Sequence, residues 1–231
     1  MKSLDLALVM PVFNEEDIIA KVISDWLNVS KNIKSIIIVI DDGSNDNTLK
    51  IIKNIKNKRL KIIRQKNSGH GPAILRGYKY AIKTDAKYIF QTDTDNQFFT
   101  SDFNKFWKLR EKFDLILGFR KIRYDDNIRL IITRILRLIL NIFFGIKIKD
   151  SNIPYRLMNK KFLDHSLKNY NLETNIVNVF LSIIAFKKFK TTTLKVNHKK
   201  RLTGKVWIVS FRLFKFCVIS FINLIKLRAI I

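Results

Sequence analysis

The chain has 231 residues, 44 of them Lys or Arg against 19 Asp or Glu, for a formal net charge of +25. With 47% apolar and 27% charged residues it has the balance of a globular chain long enough to bury a core, which excludes a disordered one. The single cysteine, Cys217, excludes a disulfide framework and, with only three histidines, a Cys/His zinc site; the charge points to a polyanionic partner, be it nucleic acid, an anionic membrane or a phosphorylated substrate.

Leu4 to Met10 is an apolar run ending at Pro11, which reads as a buried strand. Helical spacing over Glu15 to Leu27 predicts a helix with Asn14 as its N-cap. Ser35 to Ile40 reads as a second strand stopping at Asp41, Asn45 to Ile55 as a helix, and Arg59 to Arg64 as a third strand. Pro72 to Ile82 reads as a helix with Pro in its first turn, and Tyr88 to Gln91 as a fourth strand. A helix over Ser101 to Glu111 and a strand over Asp114 to Leu117 follow. This alternation predicts an α/β fold, a mostly parallel central sheet with helices on both faces. Ile128 to Phe144 is apolar except for Arg129, Thr133, Arg137 and Asn141, so a helix there is expected to bury most of its girth. Thr191 to Val196 reads as a late strand. In Trp207 to Ile231 the residues Arg212, Lys215, Asn223 and Lys226 fall within roughly 80° of one another on a helix. The chain therefore divides into a domain over 1–206 and an amphipathic helix over 207–231. No secretory signal and no span are expected, since the charge-free stretch Phe216 to Ile225 is about half the roughly 20 residues a span needs.

Four polar clusters follow strand ends or open helices, the edge at which open α/β sheets bind ligands. The first is Pro11-Val12-Phe13-Asn14-Glu15-Glu16. The second is Asp41-Asp42-Gly43-Ser44-Asn45-Asp46-Asn47-Thr48, in which Asp42 is the functional candidate and Asn45, Asp46 and Thr48 read as turn and cap. The third, Asn67 to Ala73 with Gly69, His70 and Gly71, opens a helix whose N–H groups could meet phosphate or sugar, but it lacks the dinucleotide fingerprint. In the fourth, Thr92-Asp93-Thr94-Asp95-Asn96-Gln97, alternate residues Asp93, Asp95 and Gln97 offer two carboxylates and an amide oxygen, a hard-oxygen set for Mg²⁺ or Mn²⁺.

In this order the clusters resemble the family 2 glycosyltransferases of the GT-A fold, and within them the dolichyl-phosphate mannose synthase and polyprenyl-phosphate glycosyltransferase branch. The resemblance continues through Gly118-Phe119-Arg120, Asp150 to Arg156 and Arg201-Leu202-Thr203-Gly204, and covers about residues 4 to 206. It implies that Pro11, Phe13, Glu15 and Asp42 hold the nucleotide base and ribose of a UDP- or GDP-sugar, with Asn14, Asp41, Gly71 and Thr94 beside them. Asp93, Asp95 and Gln97 would hold the metal on the donor diphosphate. Arg120, Arg134 and Arg201 would contact phosphates, so that these arginines, Asp95 and Asp150 carry the transfer, with inversion at the anomeric carbon. Two departures stand out: Pro154 replaces the glycine of the usual Asp-x-x-x-Gly-Phe-Arg, and Lys205-Val206 replaces the Ser-Lys expected after Gly204.

A polyprenyl phosphate acceptor is already anionic and needs no general base; a sugar hydroxyl needs one, and Asp150 is the candidate. The C-terminal helix suits a membrane interface, with burial against the sheet or a partner subunit as the alternative. The expected location is therefore peripheral, on the cytoplasmic face of a membrane, with a membrane partner protein as a possible anchor. A nucleotidyltransferase would need a Gly-rich basic loop after the first strand, and Pro11 to Glu16 is not one. A non-catalytic nucleic-acid or membrane-surface binder would explain the charge but not the carboxylates at strand ends, and nucleic acid is not an expected partner.

Overall fold

The computed structural model describes residues 3–120, 127–200 and 210–231. Arg201 to Gly204 and the expected domain boundary after residue 206 lie outside the described residues.

Strands β1 (Leu6–Val12), β2 (Ser35–Asp41), β3 (Leu60–Arg64), β4 (Tyr88–Thr92), β5 (Leu115–Arg120), β6 (Tyr155–Asn159) and β7 (Thr191–Val196) form one sheet. Its order is β3-β2-β1-β4-β6-β5-β7; only β6 runs antiparallel to its neighbours. β1 is buried along all seven residues because it is central and covered on both faces. On one face, Trp26 of α1 (Ile19–Val29) packs its ring 5.2 Å from Phe90, 5.8 Å from Phe103 of α4 (Phe103–Leu109) and 6.2 Å from Tyr155. On the other, α3 (His70–Ala81) lies so close to β1 that a Cβ on Gly77 would fall 2.3 Å from Val9 Cγ1. Between them in sequence is α2 (Thr48–Asn54).

The order of strand addition reverses between β1 and β4, which are parallel neighbours. Their ladder ends at Val9 and Gln91, while β1 continues beside β2 as far as Val12 and Asp41. Pro11, which has no N–H to donate, lies just past the point where β4 has left the ladder. The crevice that opens there is the switch point of an open α/β sheet.

Several expectations are corrected. α1 begins at Ile19 and its N-cap position is Ile18; Asn14 is no cap but sits at φ 52°. The cause is the neighbouring loop, since Thr48 Oγ1 accepts from Glu15 N and Asp46 Oδ2 from Glu16 N, which holds the segment as a turn. Thr48 N donates to Asp46 Oδ1, so α2 starts at Thr48 instead of Asn45. The expected helix from Ser101 is a 3₁₀ turn over Thr100–Asp102 running into α4. Strand β6 and helices α6 (Lys160–Asn169) and α7 (Val177–Lys188) were not expected.

α5 (Asn127–Phe144) does not bury most of its girth: Ile128, Ile131, Ile135, Leu138 and Ile142 are all more than half exposed. α8 (Ser210–Arg228) is anchored by buried Leu224 and Leu227 and by Asn223, whose Nδ2 donates to Thr174 Oγ1. Its Val218, Ile219, Phe221, Ile222 and Ile225 remain exposed. Among the described residues, no helix is long and apolar enough to cross a membrane.

Candidate active site

The four clusters meet at the crevice edge. After β1, Asn14 N donates to Ser44 Oγ and Asn14 Oδ1 accepts from Asn45 N, while Glu16 Oε2 accepts from the backbone and side-chain nitrogens of Asn47. Thus Asn14, Asn45, Asp46 and Thr48 stitch the first loop to the second. Phe13 is half-buried and Glu15 buried against this seam. Pro11 is buried, and its carbonyl accepts from Thr94 Oγ1 at 2.9 Å, which ties the first cluster to the fourth.

The adjacent carboxylates divide their work. Asp41 is fully buried: its Oδ1 accepts from Ser44 N, and its Oδ2 lies 3.4 Å from Arg64 Nε. Asp42 points across to the third cluster. Its Oδ1 accepts from Gln65 Nε2 at 2.6 Å and Ser68 N at 2.9 Å, and its Oδ2 from Gly69 N at 2.9 Å. Gly43, at φ 74°, permits this turn; a Cβ there would lie 2.8 Å from Asn67 N. Gly71 is likewise needed for approach, because a Cβ would meet Thr174 O at 2.6 Å and Asn175 Cα at 2.7 Å. His70, in the first turn of α3, brings Nε2 to 3.5 Å from Asp93 Oδ1.

Asp93 is partly exposed, and its Oδ1 accepts from Gln91 Nε2. Asn96 takes φ 56°, turning the chain so that Gln97 N donates to Asp95 Oδ1. Gln97 Nε2 faces Lys199 O at 3.2 Å; a carbonyl only accepts, so Oε1 is the Gln97 atom left for a cation. Two carboxylates and one amide oxygen suit Mg²⁺ or Mn²⁺. Among the described residues no three His, Cys, Asp or Glu side chains form a metal cluster, so an ion here would complete its shell with ligand phosphate and water.

The other half of the site follows from the direction of β6. Being antiparallel, it brings its leading segment, Asp150 to Pro154, to the same edge as the C-terminal ends of β4 and β5. There Arg120, which ends β5, donates from Nε to Asp150 Oδ2 at 2.7 Å and from its terminal nitrogen to Oδ1 at 3.1 Å. Both side chains are largely buried, at 11% and 4% exposure, and the fork geometry fixes their orientation. The sequence assigned these two residues separate tasks; the structure pairs them. Arg134 is exposed on α5.

Beside the pair lies a cleft of about 190 Å³ between α5, α7 and α8. Its walls are mostly apolar, among them Ile132, Leu136, Val179, Phe216 and Leu224, and Arg120 and Asp150 contribute its charged part. Behind the site lie buried polar residues: Arg156, which ends the Asp150–Arg156 motif already noted, and Tyr78, Gln91, Asn178 and Ser182, which the sequence did not single out. A polar residue inside an apolar run was their only signal.

The family model described as "Glycosyl transferase family 2" matches residues 7–190. A curated relative, the uncharacterized glycosyltransferase YkoT of Bacillus subtilis, is 29% identical over 215 residues, covering 87% of this chain and 61% of its own length. An uncharacterized glycosyltransferase of Synechocystis sp. is 23% identical over 222 residues, 94% of this chain and 68% of the relative. The chain thus spans only about three fifths of the first relative. Among solved structures, glucosyl-3-phosphoglycerate synthase from Mycobacterium tuberculosis, in complex with Mn²⁺ and UDP-glucose, matches with a TM-score of 0.72 at 16% identity, covering 99% of this chain and 80% of that one. Mannosyl-3-phosphoglycerate synthase from Rubrobacter xylanophilus matches with a TM-score of 0.69 at 13% identity, covering 94% and 72%. These two share the GT-A-like fold. The family match runs through both halves of the crevice, from Pro11 to Asp150 and beyond, and on it the chain belongs to glycosyl transferase family 2.

Proposed function

We propose that the chain transfers a sugar from a nucleotide-diphosphate sugar to a polyprenyl phosphate, with inversion, while docked peripherally on the cytoplasmic face of a membrane. The observation that carries the acceptor assignment is the apolar cleft beside Arg120, flanked by the exposed apolar faces of α5 and α8. All the exposed large apolar side chains among the described residues, Phe99 apart, lie on or next to those two helices. Exposed Arg134, Arg137, Lys147, Lys149, Lys215 and Lys226 accompany them, and such cations attract anionic lipid.

On the donor side, Pro11, Phe13, Asn14, Glu15, Asp41, Asp42, Gly71 and Thr94 shape the nucleotide site. Asp93, Asp95 and Gln97 would hold Mg²⁺ or Mn²⁺, which supplies positive charge to the diphosphate leaving group. The bond from the anomeric carbon to the diphosphate oxygen breaks, its electron pair staying on the diphosphate. The bond to the acceptor phosphate oxygen forms from the opposite face. Arg120 orients the acceptor phosphate by exchanging one prong of its fork from Asp150 to the phosphate. Arg134, and Arg201 beyond the described residues, are assigned to further phosphate contacts. No proton needs to be removed from an anionic phosphate, which suits a site whose carboxylate, Asp150, is already bound on both oxygens.

A second reading takes a sugar hydroxyl as acceptor, with Asp150 as base. Its support is the place of Asp150 at the edge where the acceptor would lie. That reading requires Arg120 to release an Asp150 oxygen for the hydroxyl proton.

The test is metal-dependent transfer from a panel of UDP- and GDP-sugars to a polyprenyl phosphate in detergent, with Asp95→Asn as control. Lipid-linked sugar that disappears with EDTA and falls at least about a hundredfold in Asp95→Asn is the expected result. Transfer to a hydroxyl alone, abolished in Asp150→Asn, would replace the first reading by the second.

A further inference from the structure

Arg156, at the centre of β6, is wholly buried, yet among the described residues none of its hydrogen bonds goes to a carboxylate. An arginine taken out of water without a bonded anion is retained only where its donors are fully used. Here they grip the chain that leads out of Asp150. Nε donates to Ile153 O at 3.1 Å, and one terminal nitrogen donates to Ile153 O at 2.7 Å and Ser151 O at 3.1 Å. The other donates to Asn178 O on α7 at 2.8 Å, with Ser182 Oγ at 3.5 Å. Ser182 Oγ is in turn placed 2.7 Å from Ser151 O and 2.8 Å from Asn178 O.

The network does not stop at α7. Asn178 Nδ2 donates to Gln91 Oε1 at 3.1 Å, Tyr78 OH adds a contact to the same oxygen, and Gln91 Nε2 donates to Asp93 Oδ1 at 3.3 Å. In the sheet, Arg156 lies level with Gln91 of β4 on one side and Leu117 of β5 on the other. One buried arginine thus sits between the strand that carries Asp93 and the strand that carries Arg120.

We propose that Arg156 is a positioning residue of the transfer reaction. With Asn178 and Gln91 it forms a buried frame that fixes the Asp150 segment, and through it Arg120, relative to Asp93. This rests on reading Asp93 and the Arg120–Asp150 pair as donor and acceptor halves of one site. Turnover depends on the distance between the halves, while each half binds its own ligand by local contacts. Lysine cannot replace the arginine, because an ammonium does not present a planar fork to two carbonyls.

The test uses the full chain and the variants Arg156→Lys and Asn178→Leu, the second of which leaves the guanidinium in place. Three readouts are taken: kcat and KM of transfer, calorimetric affinity for Mn²⁺ with UDP, and hydrogen exchange of the amides at 151–153. For Arg156→Lys the expectation is a kcat at least about tenfold lower, Mn²⁺·UDP affinity within about threefold of the parent, and faster exchange at 151–153 only. Asn178→Leu is expected to lower kcat in the same sense. A parental kcat together with parental exchange in Arg156→Lys overturns the proposal. If Arg156→Lys does not fold, the same outcome in Asn178→Leu overturns it. Should the parent protein transfer to no polyprenyl phosphate, the acceptor reading falls, and exchange at 151–153 in Arg156→Lys still decides for or against the frame.

Discussion

At the residue scale, single atoms decide how the loops close. Asp42 gathers three donors onto one carboxylate, Gln65 Nε2 and the backbone N–H groups of Ser68 and Gly69 in the third cluster. In Asp42→Asn an amide nitrogen must face a donor, so the variant is expected to lose about 1–3 kcal/mol of stability and to bind UDP more weakly, as read by urea unfolding and calorimetry. Gly71→Ala forces a Cβ against backbone at 2.6 Å, which side-chain rotation cannot relieve. A loss of about 1–3 kcal/mol is expected, and a parental unfolding midpoint would refute the packing role. Burial raises the phenols of Tyr78 and Tyr155 far above the ordinary tyrosine value of 10.0, with Arg156 opposing and Asp93 reinforcing the shift at Tyr78 and Asp102 reinforcing it at Tyr155. The native state keeps two protons that the unfolded chain releases above about pH 10. Stability from these groups is complete below that pH and declines above it. Burial also lowers Arg156 to about 10, which has the opposite sign, but one group does not offset two. Unfolding midpoints are expected to fall above about pH 10, more gently in Tyr155→Phe, and two of the six tyrosines are expected to ionise only on unfolding.

At the element scale, β6 is the strand that makes the site. A parallel strand in its place would deliver the Asp150 segment to the opposite edge of the sheet. It was not legible as a strand because Tyr155-Arg156-Leu157-Met158-Asn159 is short and carries an arginine at a buried position. α7 escaped notice for the converse reason: VNVFLSIIAFKK is apolar all round, so it has no polar face to set a period. α5 was legible as a helix but not in its surroundings. Its exposed Ile128, Ile131, Ile135, Leu138 and Ile142 recur at spacings of three and four, a continuous stripe. Burying such a side chain is worth about 1.5–3 kcal/mol, so the stripe favours an apolar partner phase. Replacing Leu138 and Ile142 by Glu is expected to lower partitioning onto anionic vesicles at least about tenfold without shifting the unfolding midpoint. Unchanged partitioning in a sedimentation assay would count against the membrane reading.

At the scale of the whole molecule, the proposed membrane docking draws on the +25 charge and the proposed metal site on the carboxylates of the crevice. The charge acts at a distance and is screened by salt within about 8 Å at physiological ionic strength, whereas a metal held by Asp93 and Asp95 is local. Vesicle binding is therefore expected to weaken steeply with salt, while metal-dependent UDP binding changes little; titration of both across one salt series checks it. By itself the sequence determined the α/β alternation, the four polar clusters and their place at strand ends, because apolar runs and turn residues are local signals read one element at a time. It also marked Asp93, Asp95 and Gln97, since carboxylates after a buried strand have no place in a core. Only the tertiary structure decided that Asn14 and Thr48 stitch loops, that Asp150 is bound by Arg120, and that Arg156 stands between the two halves. Those facts depend on contacts between residues about thirty or more apart in the chain, which arise only when the strands are ordered and β6 turns against its neighbours.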